Sequence, residues 1–558
     1  MSIWPSIERS RERLREEHGT ITKSGAAPIS VALAFPNVYK VGMAGLGFQI
    51  IYRLLNSRED TLCERVFYPD ERDLSLFASS GRLFTMESER PVANFTLLAF
   101  SLSFEMDIPR LLRMLMMSGL PLRASDRGPE HPLVMVGGPV VTFNPEPLAE
   151  FIDFCLVGEA EEALPEIMDI ISDEASSDLL CREDLFYRLA GVGGVYVPSL
   201  YEVGYDDAGR VADVVASNGA PQRVRRRWTA NLDAYPGSST VISPDAEFPN
   251  TWLVEISRGC GRRCRFCMAG HCYLPPRRRS KETVLAAVRQ GLQLIDRIGL
   301  VGAAVSDYPG IDDLSWELTS MGAKLSVASL RVDTLGPGLL RSLAAGRSHT
   351  LTVAPEAGSE RLRRIINKRI TEEHIMNGVR MAAEAGFHRL KFYFIIGLPG
   401  EREEDIRAIV DLVLSAREAA PGLRLELSVA PFVPKPFTPF QWSAMAKIAR
   451  LEKHATLLRT LLRKYGSMDI SVESPRWSAV QGIMARGDRR LAPVLASVAA
   501  EGDSISVWRR SMKQAGLSYD FYLYRIREEE EVFPWDHLDI GLEKAHLRQS
   551  YNEALAEY

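Results

Sequence analysis

The chain has 558 residues, too many for a single hydrophobic core, and this length predicts about three or four domains. The net charge of −5 argues against a protein that binds nucleic acid through an overall basic surface, and no apolar run is long enough to cross a membrane. The first residues lack the apolar core of a signal peptide and the seven cysteines do not suggest a disulfide framework, so we expect a reducing, cytoplasmic location.

The amino-terminal part of the chain alternates apolar runs with helical segments. A charged lead-in helix is predicted within residues 1–28, and residues 29–175 follow as one domain. The strand-like runs of this domain are 29–35, 63–68, 95–100, 132–136 and 152–157. Because helices separate these runs, they predict a parallel, doubly wound α/β sheet of the Rossmann-like kind. Such sheets bind ligands beyond the carboxyl ends of their strands, which makes the loops after the strands a candidate site.

Four of those loops carry small or polar residues suited to close contact with a ligand. They are Asn37, Tyr39 and Gly42 after the first strand, Ser101 and Ser103 after the third, Gly137, Gly138 and Pro139 after the fourth, and Gly158 and Glu159 after the fifth. The glycine pair leaves room for a ligand to approach the backbone. On these residues alone, a Rossmann-like domain with an ordinary ligand, or with none, remains open.

A cysteine motif follows an irregular connector at residues 176–250. Cys260, Cys264 and Cys267 have the spacing C-x3-C-x2-C and come directly after a strand-like run. Thiolates are the soft ligands of iron–sulfur clusters, and three of them leave one iron of a 4Fe–4S cluster open. The alternative is a zinc loop with His271 or Cys272 as a fourth ligand, although zinc sites usually use two separated pairs of ligands.

The cysteine motif lies near the start of a third segment, residues 251–442. Its strand-like runs are 252–256, 300–305, 324–328, 350–353, 390–396 and 423–429, with helical segments between them. Six such units predict a partial (β/α)6 TIM-like barrel, whose active site lies at the carboxyl ends of the strands. Residues 443–558 are predicted to form a mostly helical carboxy-terminal extension.

Several motifs together resemble the cobalamin-binding radical S-adenosylmethionine (SAM) family over nearly the whole chain. Besides the cysteines and the four loops, they are A-P-E-A-G at 354–358, G-L-P at 397–399 and P-F-V-P-K-P-F-T-P-F-Q-W at 431–442. The resemblance implies a 4Fe–4S cluster on Cys260, Cys264 and Cys267, with SAM on its open iron. It also implies SAM contacts from the cysteine loop and the strand ends of the barrel, namely Phe266, Ser306, Asp307, Arg331, Glu356, Ile396 and Gly397.

The resemblance further implies that the four amino-terminal loops bind cobalamin. Classical cobalamin domains carry D-x-H-x-x-G in the first loop, and their histidine binds cobalt from below, whereas the same spacing here reads Asn37, Tyr39 and Gly42. Because tyrosine is a poor cobalt ligand, we expect base-off cobalamin with no histidine below the metal. The implied contacts are Asn37, Tyr39, Gly42, Ser101, Ser103, Gly137, Gly138, Pro139, Gly158 and Glu159.

The activity implied by this resemblance is reductive cleavage of SAM to a 5′-deoxyadenosyl radical, followed by methyl transfer from methylcobalamin to an unactivated carbon. The alternatives are a cobalamin-assisted cyclisation or rearrangement, a methylthiotransferase with a second cluster on Cys63, Cys155 and Cys181, and a non-enzymatic cobalamin or redox sensor. The resemblance assigns neither a catalytic residue nor a substrate.

The expected partners are a small-molecule or short-peptide substrate and an electron donor such as flavodoxin or ferredoxin, with no membrane and no nucleic acid. Were the substrate RNA, the arginines at 225–227 and 277–279 would be the place to look for its contacts.

Overall fold

A computed structural model describes residues 3–23, 27–175, 181–346, 349–466 and 468–558. The predicted lead-in segment and the start of the predicted connector lie partly outside these ranges. Helix α1 (Trp4–Glu16) is the lead-in helix, and ion pairs such as Arg13 with Asp70 at 3.2 Å hold it against the domain that follows.

The amino-terminal domain has the predicted doubly wound form. Its strands are β1 (Ile29–Phe35), β2 (Thr61–Phe67), β3 (Leu97–Ser101), β4 (Leu133–Gly137), β5 (Phe154–Leu156) and β6 (Val195–Tyr196). Its helices are α2 (Tyr39–Gly42), α3 (Leu46–Asn56), α4 (Leu74–Ser80), α5 (Ile108–Met117), α6 (Pro139–Phe143), α7 (Ala160–Ala175) and α8 (Arg182–Ala190). The strand order is β2-β1-β3-β4-β5-β6, and β1 to β5 are parallel. All seven residues of β1 are buried, as expected for a strand that is covered on both faces of its sheet.

The connector is more than a spacer, because it extends the edge of this sheet. It contains the antiparallel strands β7 (Tyr201–Tyr205) and β8 (Val211–Ala216) and the short strand β9 (Val224–Arg225). Beyond β9, the Arg227 N–H donates to the Val157 carbonyl and the Glu159 N–H donates to the Arg227 carbonyl, both at 3.0 Å. Strand β9 also pairs with a strand of the carboxy-terminal extension, Leu538–Asp539, so the connector joins three parts of the molecule.

All six predicted strands of the partial barrel are present, with a small antiparallel pair beside the first of them. In chain order the strands are β10 (Trp252–Glu255), β11 (Ser257–Arg258), β12 (Arg277–Arg278), β13 (Arg297–Val301), β14 (Lys324–Val327), β15 (Thr350–Glu356), β16 (Arg389–Ile396) and β17 (Arg424–Pro431). The helices are α9 (Lys281–Leu292), α10 (Ile311–Ser320), α11 (Pro337–Ala345), α12 (Glu360–Ile365), α13 (Glu372–Glu384) and α14 (Glu403–Ala419). Burial alternates along β16 and β17, because one face packs against these helices while the other lines an open barrel.

The barrel strands form two parallel sheets, and the second of them, β15 to β17, continues past residue 442, where we predicted the barrel to end. A further strand, β18 (Asp469–Val472), pairs in parallel with β17, so the predicted boundary divides a continuous sheet. The rest of the extension is mainly helical and consists of α15 (Ile448–Arg463), α16 (Pro475–Arg486), α17 (Ala492–Glu501), α18 (Ile505–Gln514), strand β19 (Leu538–Asp539) and α19 (Lys544–Leu555). It contacts the amino-terminal domain through a buried ion pair between Arg489 and Glu146 at 2.7 Å. Among the described residues, no helix is long and apolar enough to cross a membrane.

Candidate active site

An apolar cavity of about 400 Å³ lies at the carboxyl edge of the amino-terminal sheet. The ends of β1, β3, β4 and β5, helices α3 and α7, and the first barrel strand enclose it. The strand order reverses between β1 and β3, and such a reversal is where doubly wound sheets bind their ligands. Seven of the predicted cobalamin contacts line this cavity: Ser101, Ser103, Gly137, Gly138, Pro139, Gly158 and Glu159.

The glycines of this cavity differ in whether another residue could replace them. Gly138 has φ of +114°, and a Cβ there would lie 2.5 Å from the Leu102 carbonyl oxygen. Gly158 also has φ of +114°, and its Cβ would collide with the Arg227 carbonyl. A Cβ on Gly137 would meet no atom within 4 Å. The backbone therefore requires glycine at 138 and 158, whereas Gly137 only leaves open space beside the cavity.

The three predicted contacts from the first loop lie elsewhere. Neither Asn37 nor Tyr39 nor Gly42 lines the cavity. The Asn37 side chain donates to Asp107 at 2.9 Å, and the Tyr39 hydroxyl donates to the buried Glu17 carboxylate at 2.6 Å. Burial raises the pKa of Tyr39, and the neighbouring Glu17 charge raises it further, so this phenol stays neutral.

The three motif cysteines share one short loop at the carboxyl end of β10, closed at its base by the pairing of β11 with β12. Within it, the Cys260 N–H donates to the Ala269 carbonyl at 3.1 Å, and the Cys267 N–H donates to the Cys264 carbonyl at 3.0 Å. Cys260 and Cys267 are half-buried, whereas Cys264 is buried. Burial raises the pKa of the Cys264 thiol to about 11, although the positive charge of Lys368 opposes this shift. The loop therefore carries one buried and two half-buried thiols at the carboxyl end of β10.

The two candidates for a fourth zinc ligand have other surroundings. His271 is buried with its Nε2 atom 3.2 Å from the Cys264 carbonyl oxygen, and Cys272 is fully buried. In the part of the chain that the structure describes, no three Cys, His, Asp or Glu side chains converge as a single metal ion requires. A cluster does not need such convergence, because each cysteine binds a different iron.

A second cavity, of about 490 Å³, lies beside the cysteine loop and is lined by Cys260, Ser306 and Asp307. Arg262 donates to both Asp307 oxygens, at 2.7 and 2.8 Å. The Thr334 hydroxyl lies 2.9 Å from the Ser306 hydroxyl oxygen. The structure thus brings these two predicted SAM contacts next to the cysteines, with Asp307 already paired to an arginine of the motif.

Three further predicted SAM contacts lie near the cysteines: Arg331 and Glu356 are close enough for their charges to act on Cys264, and Phe266 precedes Cys267 in the loop. Arg331 pairs with Asp333 at 2.8 Å, and Glu356 pairs with Lys368 at 3.1 Å. Glu356 has φ of +69°, an unusual backbone conformation for a residue with a side chain, and it comes directly after a register shift in β15. Phe266 is half-buried and packs against the hydrophobic core.

The predicted adenine-binding strand end is already hydrogen-bonded within the chain. The Ile396 carbonyl accepts the Phe432 N–H at 2.8 Å, and the Gly397 N–H donates to the Glu401 carboxylate at 2.8 Å. His454 lies 3.0 Å from the same carboxylate through Nδ1. These contacts fix the turn that follows β16 and occupy the two backbone groups at its start.

A buried ion-pair network, not predicted from the sequence, joins the two cavities. Glu159 contacts Arg277 at 2.6 Å and Arg258 at 2.9 Å. Arg258 also contacts Glu161 at 2.7 Å and Glu255 at 2.9 Å. Arg258 precedes the cysteine motif and Arg277 follows it, so both ends of the cysteine loop are bound to one carboxylate of the amino-terminal domain. The only sequence signal for this network is the charge of these residues, which does not reveal their partners.

The proline-rich segment at 431–442 also reaches the amino-terminal domain. Lys435 forms an ion pair with Glu105 in the loop after β3, and Gln481 donates to the same carboxylate at 3.1 Å. Glu105 is buried. The loops that line the first cavity are therefore fixed both from the barrel and from the extension.

Comparison with known proteins identifies the class of this protein. The family described as "Radical SAM proteins, N-terminal" matches residues 47–198, and the "Radical SAM superfamily" matches residues 254–413. The protein is therefore a member of the radical SAM superfamily of enzymes. More narrowly, it belongs to one family with an uncharacterised protein of Methanocaldococcus jannaschii, which is 30% identical over 480 residues, or 84% of this chain and 90% of that protein.

Two further proteins are informative about the architecture. An uncharacterised methyltransferase of Pyrococcus horikoshii is 27% identical over 298 residues, or 50% of this chain and 57% of that protein. The radical SAM methyltransferase TsrM from Kitasatospora setae, solved with cobalamin and a 4Fe–4S cluster bound, matches with a TM-score of 0.52 and 15% identity, over 88% of this chain and 99% of that one. The predicted fold class and the resemblance to cobalamin-binding radical SAM proteins are confirmed.

Proposed function

We propose that this protein is a cobalamin-dependent radical SAM enzyme that methylates an unactivated carbon of a small molecule or short peptide. One observation carries the proposal: the cysteine loop of the barrel and the apolar cavity of the amino-terminal sheet are joined through Glu159. When bound, the cluster and SAM supply a carbon radical and cobalamin supplies a methyl group. The chain itself binds these groups, orients them and excludes water.

The residues present fit the cluster and SAM. Cys260, Cys264 and Cys267 are three half-buried or buried thiols on one loop, and the backbone N–H groups of Ala269 and Gly270 lie at the Cys267 sulfur. N–H groups stabilise a thiolate, and hydrogen bonds to sulfur tune such clusters. We propose that SAM occupies the cavity between Cys260 and Asp307, whose lining includes the ion pair of Asp307 with Arg262.

The residues of the first cavity also fit cobalamin. Its lining is apolar except at the strand ends, where Ser101, Ser103 and Glu159 provide polar groups. About 400 Å³ accommodates only part of so large a cofactor, so we propose that the cavity receives the detached tail while the ring rests on the strand ends. Among the described residues no histidine lines this cavity, and the Tyr39 hydroxyl is bonded to Glu17, which supports our expectation of a cobalt without a histidine below it.

The arginine clusters do not favour a nucleic-acid substrate. Arg226, Arg277 and Arg279 are buried, and Arg279 contacts Glu255 at 2.7 Å. An RNA-binding surface needs many exposed cations that reach phosphates, and of the six arginines at 225–227 and 277–279 only Arg225 and Arg278 are exposed. This burial supports a small substrate, which we propose to be processed in the cytoplasm with electrons from a carrier protein.

The methylthiotransferase alternative requires a second cluster, whose three cysteines would have to lie close together. Cys63 lies in β2 and Cys155 in β5, and three other strands separate β2 from β5. At about 4.8 Å per strand they are about 19 Å apart. Both are fully buried, and burial raises the pKa of each thiol, which makes them poor cluster ligands.

Three measurements on the anaerobically reconstituted protein test the proposal. We expect about four irons per chain, one cobalamin, and formation of S-adenosylhomocysteine and 5′-deoxyadenosine when substrate is present. The triple Cys→Ala variant at 260, 264 and 267 should lose the iron but keep cobalamin, whereas Cys272→Ala should keep both. Four irons in the triple variant would refute the cluster site, and eight in the wild type would favour the methylthiotransferase.

A metabolite comparison between a deletion strain and its parent would then identify the substrate by a mass shift of one methyl group. A rearranged product without added mass would favour cobalamin-assisted cyclisation instead. A methyl group missing from RNA nucleosides would refute the small-substrate proposal.

A further inference from the structure

The cysteine loop has two faces with different electrostatic roles. Arg262 points toward the barrel opening, where it pairs with Asp307. The next residue, Arg263, is exposed and makes no ion pair among the described residues. Two more arginines are exposed beside it, Arg364 and Arg369, and the only ion pair of Arg364 in the described chain is with Glu557 at 3.7 Å. Positive charge therefore lies on the outer side of the loop that carries the cysteines.

This outer face is built in an uncommon backbone conformation. Arg263, Asn367 and Arg369 have φ of +51°, +55° and +51°, although none of them is glycine. Such residues cost free energy and are maintained where the surroundings impose them. Here the Asn367 amide donates to the Arg263 carbonyl at 3.0 Å, and Arg369 donates to the Asn367 side chain at 2.8 Å. The two loops thus hold each other's shape and set the positions of two of the arginines.

A buried arginine fixes this face to the cysteines. Arg265 lies between Cys264 and Cys267 in the sequence, and its side chain donates to the Ile365 carbonyl at 2.7 Å. Its own N–H donates to the Ile366 carbonyl at 3.0 Å. The segment that carries Arg364 and Arg369 is therefore joined directly to the cysteine loop.

We propose that the face formed by Arg263, Arg364 and Arg369 is the docking surface for an acidic one-electron carrier protein. The inference rests on the proposed function, which requires that the cluster receive one electron from outside. In this step the carrier is oxidised by one electron and the cluster is reduced by one, with no bond made or broken. A carrier needs to approach the cysteines closely, and this face is hydrogen-bonded to the cysteine loop at Arg263 and Arg265 and carries exposed arginines of complementary charge.

A strand of RNA fits this face less well than an acidic protein does. Binding of a polyanion depends on many phosphate contacts, whereas three cations form only a small patch here. Glu360 and Glu557 line the same cavity as Arg364 and Arg369, and the exposed Glu553 pairs with Arg265 at 3.0 Å, so carboxylates interrupt the positive patch and would repel an extended phosphate backbone. A compact acidic protein can place its carboxylates against Arg263, Arg364 and Arg369 individually and so avoid these three glutamates.

Binding of a carrier to the reconstituted full-length protein tests the proposal directly. The probe is an oxidised flavodoxin, titrated against wild type, Arg263→Glu and Arg364→Glu, with Kd measured by calorimetry at low and physiological salt. Each reversal should weaken binding about tenfold, because like charges then face each other, and should reduce its salt dependence. The control is Arg289→Glu on α9, which makes the same charge change at an exposed site on an outer helix and should leave Kd within about twofold.

A second readout separates docking from damage to the cluster. Dithionite should reduce the cluster of every variant as it does in wild type, whereas reduction by flavodoxin should slow about tenfold in Arg263→Glu and Arg364→Glu. Arg364 lies in a helix with an ordinary backbone, so its variant stays informative even if Arg263→Glu disturbs the loop. Unchanged Kd in both variants would overturn the docking surface. A wild-type protein that holds no reducible cluster would instead refute the proposed function.

Discussion

Replacing Glu159 with glutamine should loosen the junction between the amino-terminal domain and the cysteine loop. Glu159 accepts two hydrogen bonds from Arg277, at 2.6 and 2.7 Å, and their side chains are only 4% and 7% exposed. Arg258 would keep two carboxylates, Glu161 and Glu255, but Arg277 would lose its only carboxylate partner in the described chain. Removing one member of a buried pair costs about 3–5 kcal/mol.

We take the lower end of that range, about 3 kcal/mol, because Arg277 keeps a bond to the Thr229 carbonyl at 2.6 Å. With an m-value of about 3 kcal/mol/M, the urea midpoint of Glu159→Gln should fall by about 1 M. The assay is urea unfolding at pH 7, followed by circular dichroism. Glu161→Gln is the matched control, because Glu161 borders the same cavity. This variant leaves Arg258 two other carboxylates, so we expect its urea midpoint to fall by only about 0.3 M.

The pH dependence provides an independent check on the same residue. Burial alone raises the pKa of Glu159, but the Arg277 hydrogen bonds and the Arg258 charge outweigh it and lower the pKa below its ordinary value. The stability that this carboxylate contributes is therefore present above about pH 4.3 and is lost as the pH falls through the folded-state pKa. The urea midpoints of wild type and Glu159→Gln should therefore converge when the pH falls below the folded-state pKa of Glu159. A Glu159→Gln midpoint that moves no more than that of Glu161→Gln at pH 7 would refute this account of the junction.

Three further predictions test other parts of the site. Gly138→Ala should lower the urea midpoint by about 1 M because its Cβ would meet the Leu102 carbonyl, whereas Gly137→Ala should fold normally and weaken only cobalamin binding, measured by absorbance titration. Burial raises the pKa of Asp107 to about 6, so the unfolding free energy of the wild type should fall as the pH rises from about 4 to 6. In urea unfolding, Asp107→Asn should lack this pH dependence. Cys272→Ala should keep about four irons by colorimetric assay and lose about 1 kcal/mol of stability, since Cys272 is a buried core residue.

Short sequence patterns predicted the architecture well, because each of them depends only on residues that are close together in the chain. Continuous apolar runs such as Ile29–Phe35 identify strands that are covered on both faces, and the cysteine spacing identifies a loop that holds three thiols. The loops after β3, β4 and β5 come together at the cavity, because the carboxyl ends of parallel strands meet at one edge of the sheet. The strand beyond residue 442 was missed, since Asp469–Val472 is a short polar segment that only its pairing with β17 makes a strand.

Side-chain partners across long sequence distances could not be predicted in this way. From the sequence, Arg277 is one of three consecutive arginines expected at the surface. In the structure it is buried and donates a hydrogen bond to Glu159, 118 positions earlier in the chain. Tyr39 has the spacing of a cobalt ligand, yet its hydroxyl is bound to Glu17 of the lead-in segment. In both cases the hydrogen-bond partner lies in another part of the chain. A single sequence does not show which distant residues pair.

The position of Glu159 explains why such pairings belong at this site. It comes directly after Gly158 at the end of a strand, where the backbone of the connector at Arg227 lies against it. Its carboxylate then contacts the residues on either side of the cysteine motif, Arg258 and Arg277. The proposed function requires that the distance between two cofactors held by separate domains be fixed to within a fraction of an ångström. A buried carboxylate between two arginines opposes displacement of the two domains, because any displacement leaves a charge unpaired in a low-dielectric environment.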